Sequence, residues 1–353
     1  MKDRFKVTNL GPIAEADVEF GDLTILTGPQ ATGKTLFLES FKLVKDYSNI
    51  CLYYEDIDPT HNFEAFWDFF YGDKMREIVT KDTSFFLNNQ KFEYLRALNV
   101  SWDFVYYIPA QRSLALSEGR IKTPEDFINS PYVLIKFCNY LQKYTKLFSK
   151  HILKDTIKNF DFLKNVDISM QRSAGSPRLE MTINKQTIPY MAWSTGQREI
   201  TPLLMALDYF PTIRKKIYFI VIEEPELGLH PRAIIEFMMT VLKIMQTGTK
   251  VIISTHSSTP LDFVWTIQHL KEKGAKPSEL AKMFDFKIKD KTVFDNLFEK
   301  TFKTYYFAPD KKTKKVYTKD ISSLDVFSED EDIASWGGMS LSADRAGSIV
   351  SRF

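Results

Sequence analysis

The sequence has only two cysteines in 353 residues, Cys51 and Cys138. Two thiols cannot build the disulfide framework of a small secreted domain, so that class is excluded. No run approaches the ~18 uninterrupted apolar residues of a membrane-crossing helix; the richest, residues 217–222, has the length of a strand. The start, MKDRFKVTNLGPIAEADVEF, has no apolar signal core, and the expectation is a cytoplasmic protein with no membrane partner. Heptads, internal repeats and low-complexity stretches are also missing. Net charge is small too, +2 from 47 Lys and Arg against 45 Asp and Glu, but the total hides an asymmetry. Residues 264–319 hold 14 Lys and no Arg against 7 acids, a net +7, while residues 320–353 hold 2 Arg against 7 acids, a net −5.

What is present is an ordinary globular composition, 44% hydrophobic and 26% charged, long enough for two closely associated lobes. Short apolar or alternating runs at 5–9, 16–20 and 23–27 are separated by the turn signals Gly11-Pro12 and Gly21-Asp22 and read as strands. Leu36, Leu38, Phe41 and Leu43 lie at helical spacing in 35–46. Residues 50–165, dense in Phe, Tyr, Leu and Lys, read as a helical lobe interrupted by a strand at 104–108. Strands at 166–171 and 179–183 flank the turn 173–177, and another covers 187–190. Helix 197–209, strand 217–222, helix 233–245 and strand 250–254 then alternate, the pattern of a parallel sheet covered by helices. The expected organisation is therefore 1–50 and 166–261 as two parts of one core, 51–165 as a mainly helical insertion, and 262–353 as an extension of helix and hairpin with a basic segment and an acidic tail. The 29 Phe and 16 Tyr fill a core or form a partner-binding face.

Gly28-Pro29-Gln30-Ala31-Thr32-Gly33-Lys34-Thr35 matches GxxxxGK[ST] in full, after an apolar strand and before a helix. Chance would produce such a match in only about 1% of chains this long. Glycines let backbone N–H groups curl around a β-phosphate, the helix N-terminus favours its charge, Lys34 reaches the β- and γ-phosphates, and the Thr35 hydroxyl suits Mg²⁺. The buried strand at 217–222 leads directly into Glu223-Glu224-Pro225, placing two acids at the sheet edge where open α/β folds bind ligands. Glu223 is suited to hold Mg²⁺, and Glu224 to orient and deprotonate a water attacking the γ-phosphate. The strand at 251–254 ends in Thr255-His256-Ser257, where a histidine can hydrogen-bond that phosphate or water. Ser194-Thr195-Gly196-Gln197 has capping-box spacing and opens a helix, which is also a phosphate-binding surface.

Together GPQATGKT, STGQRE, VIEEPELGLHP and ISTHS resemble the α/β P-loop NTPase core of ATP-binding-cassette (ABC) type, a mixed sheet with helices on both faces and an inserted helical lobe. The similarity is to the branch containing structural-maintenance-of-chromosomes (SMC) proteins, recombination and repair ATPases and the OLD (overcoming-lysogenization-defect) family. It spans residues 1 to about 261 and loosens afterwards. The resemblance implies ATP as substrate, Mg²⁺ as cofactor, Gly28 to Thr35 as the ATP loop, Thr35 and Glu223 at the metal, Glu224 as catalytic base and His256 as switch histidine. It further implies that Ser194, Thr195, Gly196 and Gln197 form a signature acting in trans, so that two copies face head to tail around two ATP. Thr195 stands where Gly is common and Gln30 where Asn is common. Tyr106 to Arg112 resembles a strand-end loop of stand-alone members in which Gln111 is the Q-loop sensor; its plain reading is a strand-to-helix turn.

Three roles follow from the resemblance. The first is the sensor ATPase of a bacterial anti-phage defence system controlling a separate effector chain, since only 97 residues follow His256 and they lack the acid-tipped strand and DxD of a fused Toprim nuclease. The second is a repair or chromosome-organising ATPase that clamps DNA, and the third a transporter subunit, from whose usual strand end EEPELGLHP departs. Lys311, Lys312, Lys314 and Lys315 form an exposed turn between strands at 304–307 and 316–318; they stay solvated or neutralise nucleic-acid phosphates. The acidic run 329–332 pairs with them across subunits or keeps the tail soluble.

Overall fold

Every position of LTILT, residues 23–27, is apolar or β-branched, and in the computed structural model all five are buried in one strand. The structure describes residues 3–53, 62–93, 105–123, 126–127, 130–148, 152–153, 156, 160, 163, 165–171, 177–213, 217–283 and 291–339. Phe104, the turn 173–177 save its last residue, parts of the expected lobe and the tail beyond 339 lie outside them.

In chain order the elements are strands β1 (Arg4–Leu10), β2 (Ile13–Glu19) and β3 (Leu23–Thr27), helices α1 (Lys34–Tyr53) and α2 (Phe63–Tyr71), strands β4 (Val79–Leu87), β5 (Gln90–Lys91), β6 (Val105–Ile108), β7 (Leu116–Ser117) and β8 (Arg120–Ile121), and helix α3 (Tyr132–Leu147). Strands β9 (Val166–Gln171), β10 (Arg178–Ile183) and β11 (Gln186–Pro189) precede helix α4 (Thr195–Tyr209). Then follow β12 (Phe219–Glu223), α5 (Pro231–Gln246), β13 (Lys250–Thr255), α6 (Thr259–Glu272), α7 (Glu279–Met283), β14 (Phe302–Pro309), β15 (Val316–Asp320) and α8 (Glu331–Ala334). Among the described residues, no helix is long and apolar enough to cross a membrane.

The chain divides into two compact units, Met1–Val44 with Ile78–Glu93 and Met238–Phe353, and Lys45–Glu77 with Tyr94–Phe237. In the first unit the strands run in the order β5-β4-β1-β2-β15-β14-β3-β13. β14, β3 and β13 are parallel, whereas β1 is antiparallel to β2 and β4 and β14 to β15. The sheet is mixed, as the resemblance to the P-loop core implied: strands of the strand–helix segments supply its parallel part and the hairpin strands its antiparallel part. β4 lies inside 51–165, which composition reads as mainly helical. Its first half, VTKD, has three exposed polar residues in a row and no alternation, so only pairing with β1 makes it a strand. Phe5 packs on Phe37 (5.2 Å) and Phe41 (5.5 Å), and Phe20 on Phe41 (4.6 Å), seating the first turns of α1. Full burial of each such ring is worth about 2–3 kcal/mol.

In the second unit β6 and β12 form a parallel pair, every residue of both buried. β9, β10 and β11 form an antiparallel sheet. Asp46, where α1 kinks, accepts a hydrogen bond from the Val105 amide that opens β6 (3.2 Å). Tyr106 stacks on Tyr140 of α3 (4.3 Å), and its hydroxyl donates to the Ala206 carbonyl of α4 (2.9 Å). Trp67, Phe66, Phe70 and Tyr132 interlock in the same way, so these aromatics belong to the core.

Cys138 lies on the buried side of α3, and burial pushes its thiol up to about 12. At pH 8 it stays protonated, and the thiolate is the reactive form. Alkylation of the native protein at pH 8, read by peptide mass mapping, is expected to spare Cys138 until guanidinium unfolds the chain; modification at the unfolded rate would contradict this packing.

Candidate active site

β3 delivers the chain into the loop 28–33, and α1 begins at Lys34. The loop needs backbone that most side chains avoid: φ is 143° at Gly28, 59° at Ala31 and 88° at Gly33. A Cβ on Gly33 would lie 2.8 Å from Ile13 Cγ1, and one on Gly28 2.9 Å from the Phe307 carbonyl oxygen. The loop is thus wedged between the β1–β2 turn and β14, with Pro29, Gln30, Ala31 and Thr35 exposed. Lys34 is buried, its ammonium donating to the carbonyls of Gly28 and Pro29 (both 2.8 Å); the Thr32 hydroxyl donates to Pro29 O (2.9 Å). Because β13 runs parallel to β3 with Thr255 opposite Thr27, His256 leaves the sheet beside Gly28. The Thr255 hydroxyl accepts from the Ser257 amide (3.0 Å), fixing the turn that holds this half-buried histidine.

The second unit holds the acids. Glu223 ends β12 and is 1% exposed, and the Tyr107 hydroxyl donates to its Oε1 (2.6 Å). Glu224 follows with φ +41°, a left-handed backbone costing a non-glycine residue about 1–3 kcal/mol unless its surroundings impose it. The surroundings are specific. Glu224 O accepts from the Leu227 amide (3.2 Å) and from Arg112 Nη2 (3.0 Å), while Arg112 Nη1 donates to Glu223 O (2.9 Å). Arg112 Nε donates to Glu199 O on α4 (3.1 Å) and lies 3.8 Å from the Glu199 carboxylate. The guanidinium is fully buried; burial holds its pKa below the ordinary value, against the pull of Glu199, Glu226, Glu224 and Glu223. Sequence reasoning chose Gln111 and passed over its neighbour. Gln111 is exposed, and its side chain makes no cap at the 3₁₀ turn Arg112–Ala115. The available signal for Arg112 was an arginine four residues beyond the end of an apolar strand, where few charges are tolerated unpaired.

At the start of α4 the capping box is complete: Ser194 Oγ accepts from the Gln197 amide (3.3 Å) and Gln197 Oε1 from the Ser194 amide (2.9 Å). Thr195 is exposed. A Cβ on Gly196 would run into the carbonyl oxygen of Gly228, which itself has φ +69°, so the first turn of α4 touches the turn after Glu224 backbone to backbone. A cleft of about 330 Å³ opens here, with Ser194, Gln197, His230 and Arg232 among its walls. His230 Nδ1 accepts from the Arg232 amide (3.3 Å), and Arg232 lies 3.8 Å from Glu236. Glu236 lines the cleft too and offsets Arg232, so what favours an anion here is the N-terminus of α4. Tyr107, Gly228, His230 and Arg232 had no role assigned from sequence.

Lys311, Lys312, Lys314 and Lys315 are exposed in the β14–β15 turn, which Asp310 organises by accepting from the Lys312 and Thr313 amides (3.1 and 2.7 Å). The acidic run does not pair with them in this chain. Asp330 and Asp332 bind Lys319 instead (2.6 and 2.8 Å), and that contact lowers the Asp330 pKa.

A family model described as "AAA domain, putative AbiEii toxin, Type IV TA system" matches residues 23–262. Comparison with curated proteins finds no match. Similar solved structures include an SMC head domain from Thermotoga maritima (10% identity, TM-score 0.40, covering 90% of this chain and 98% of that one). Another is an SMC head bound to the C-terminal winged-helix domain of ScpA (10% identity, TM-score 0.46, covering 90% and 97%). A third is cbiO1 from Clostridium perfringens, part of the ABC transporter complex cbiONQ (12% identity, TM-score 0.39, covering 98% of both).

Gly196→Ala forces a methyl against a backbone carbonyl that no rotamer change relieves. It is expected to cost about 2–4 kcal/mol, read as a lowered urea midpoint. Thr195→Gly, at an exposed position, should shift that midpoint by under about 1 kcal/mol; equal effects would exclude the packing account.

Proposed function

This chain belongs to that AAA-domain family and has the mixed α/β fold of ABC- and SMC-type P-loop ATPases; from that premise we propose that it binds and hydrolyses ATP as a nucleotide-dependent switch. The observation that carries the reading is the glycine-built loop 28–33 at the end of a buried strand, beside His256 and opening into the N-terminus of α1. Ile13 and Phe307 leave no room for a Cβ on Gly33 and Gly28; a loop so close to its supports would meet phosphate oxygens with backbone N–H groups. Lys34 would exchange the Gly28 and Pro29 carbonyls for the β- and γ-phosphates, and His256 would hydrogen-bond the γ-phosphate or the attacking water. The donor set fits magnesium: Thr35 and Glu223 offer a hydroxyl and a carboxylate, and the ion, which keeps several waters, needs few protein ligands. Bound there, it would neutralise charge developing on the β- and γ-oxygens.

Glu224 is the residue assigned to accept the proton of the attacking water. Its carboxylate follows a main chain held by Arg112 and Leu227, which limits the orientations it samples. Ser194 and Gly196, in the anion-suited cleft, are assigned to the γ-phosphate of an ATP held by a second copy. Two copies would close head to tail around two nucleotides and open when hydrolysis removes those contacts. The family description, which names a toxin of a toxin–antitoxin system, favours a defence role in which such opening and closing controls a separate effector, beside the OLD-like branch. The alternative, an ATPase that clamps nucleic acid directly, is favoured by one feature: Lys311, Lys312 and Lys314 have no carboxylate within ion-pair distance among the described residues.

Glu224→Gln is expected to retain ATP binding, to slow turnover by about 10²–10⁴-fold and to accumulate a closed dimer with ATP, measured by phosphate release and light scattering. Turnover at the wild-type rate would remove Glu224 as the base. Reversal of Lys311, Lys312, Lys314 and Lys315 to Glu separates the two roles. A nucleic-acid clamp loses its low-salt DNA retention and lowers its log–log salt slope by about 3–4, whereas an effector-control ATPase is unaffected.

A further inference from the structure

Arg112 is buried, yet it satisfies no carboxylate by a direct hydrogen bond. Its fork is used on four main-chain carbonyls: Glu199 of α4, Glu223 at the end of β12, Glu224 in the following turn and, at 3.5 Å, its own turn's Pro109. Carbonyl acceptors are weaker than carboxylates, so a residue retained only to neutralise the nearby acids would point its donors at their oxygens. What the arrangement does achieve is geometric. The planar guanidinium bridges successive carbonyls of a strand end whose second residue has left-handed backbone, and it ties that strand end to the first turns of the signature helix. The same two segments touch a second time at Gly196 and Gly228, where no side chain intervenes to absorb a shift.

We propose that Arg112 is a positioning residue that locks the Glu223–Glu224 backbone to helix α4, so that the Glu224 carboxylate is aimed only when the signature helix is in place. The assignment rests on the ATPase reading. A shift of α4 pulls on Glu199 O, the guanidinium transmits it to Glu223 O and Glu224 O, and the left-handed turn at Glu224 relaxes once either end is released. Ligand-independent charge is not the quantity transmitted, which separates this role from simple neutralisation. Lysine keeps the charge and lacks the fork, so it cannot span three acceptors held by a planar donor set.

Arg112→Lys is therefore the decisive variant. In phosphate-release assays it is expected to lower kcat by about tenfold or more while KM and the dissociation constant for a fluorescent ATP analogue stay within about threefold. In hydrogen exchange on the nucleotide-free protein, peptides covering the Leu227 and Leu229 amides should exchange about tenfold faster, with residues 28–40 unchanged. A folded Arg112→Lys with wild-type kcat and wild-type exchange at 224–229 overturns the proposal, because charge alone then suffices. So does an equal loss of binding and turnover, the pattern of general damage. Should Arg112→Lys not fold, Arg112→Gln is read by the same criteria. If the wild-type protein hydrolyses no ATP, the ATPase reading falls, and the exchange measurement alone decides whether Arg112 locks the turn.

Discussion

A strand buried on both faces has no place for a charged side chain except at its ends, and that constraint organises this molecule. β3, β12 and β6 are buried along their whole length, and β13 at all but its first residue. The residues directly after them are Gly28, Glu224, the Pro109 to Arg112 turn and His256, with Glu223 closing β12 itself. Parallel pairing then brings like ends together. Thr27 and Thr255 stand opposite each other in one unit, and Ile108 and Ile222 in the other, so each pair of neighbouring strands releases its polar residues at a common edge. The chemistry is collected by register, before any side-chain contact is made.

The same constraint explains what could be read from the sequence. An apolar run ending abruptly in GPQATGKT, EEP or THS shows both the strand and its edge, because the hydrophobic pattern stops where the chemistry starts. The capping box of Ser194 and Gln197 was equally visible, being a local matter of three-residue spacing. β4 was not, because its polar first half becomes a strand only through β1, a partner about 70 residues distant. Arg112 was invisible for a related reason. Its acceptors are backbone carbonyls roughly 90 to 110 residues away, and a carbonyl has no letter in the sequence. Gly228 carried no visible role of its own, since the need for it comes from Gly196 on another element.

These missed features are of one kind. Around Glu224, main chain is held by main chain or by a side chain donating to main chain: Leu227 and Arg112 at Glu224 O, Gly228 against Gly196. Such contacts fix backbone rather than choosing among rotamers, and they are what a left-handed glutamate requires to persist. Tyr107 extends the pattern to one side chain, donating to Glu223 from the neighbouring strand. Precision at the acids is thus provided by their supports.

The charge asymmetry gains a physical meaning in the same way. Lys319 is matched by Asp330 and Asp332, Lys303 by Asp320, Lys6 by Glu15 and Arg4 by Asp17, so the acids around β15 and β2 are already engaged. The β14–β15 turn keeps a net positive charge because it sets one acid, Asp310, against four lysines. Nor is that turn remote from the phosphate loop. Lys315 donates to Gly11 O (3.2 Å) and the Val316 amide to Pro12 O (3.0 Å), and it is Pro12 and Ile13 that would collide with a side chain on Gly33. One two-residue turn therefore supports the lysine cluster on one side and the nucleotide loop on the other.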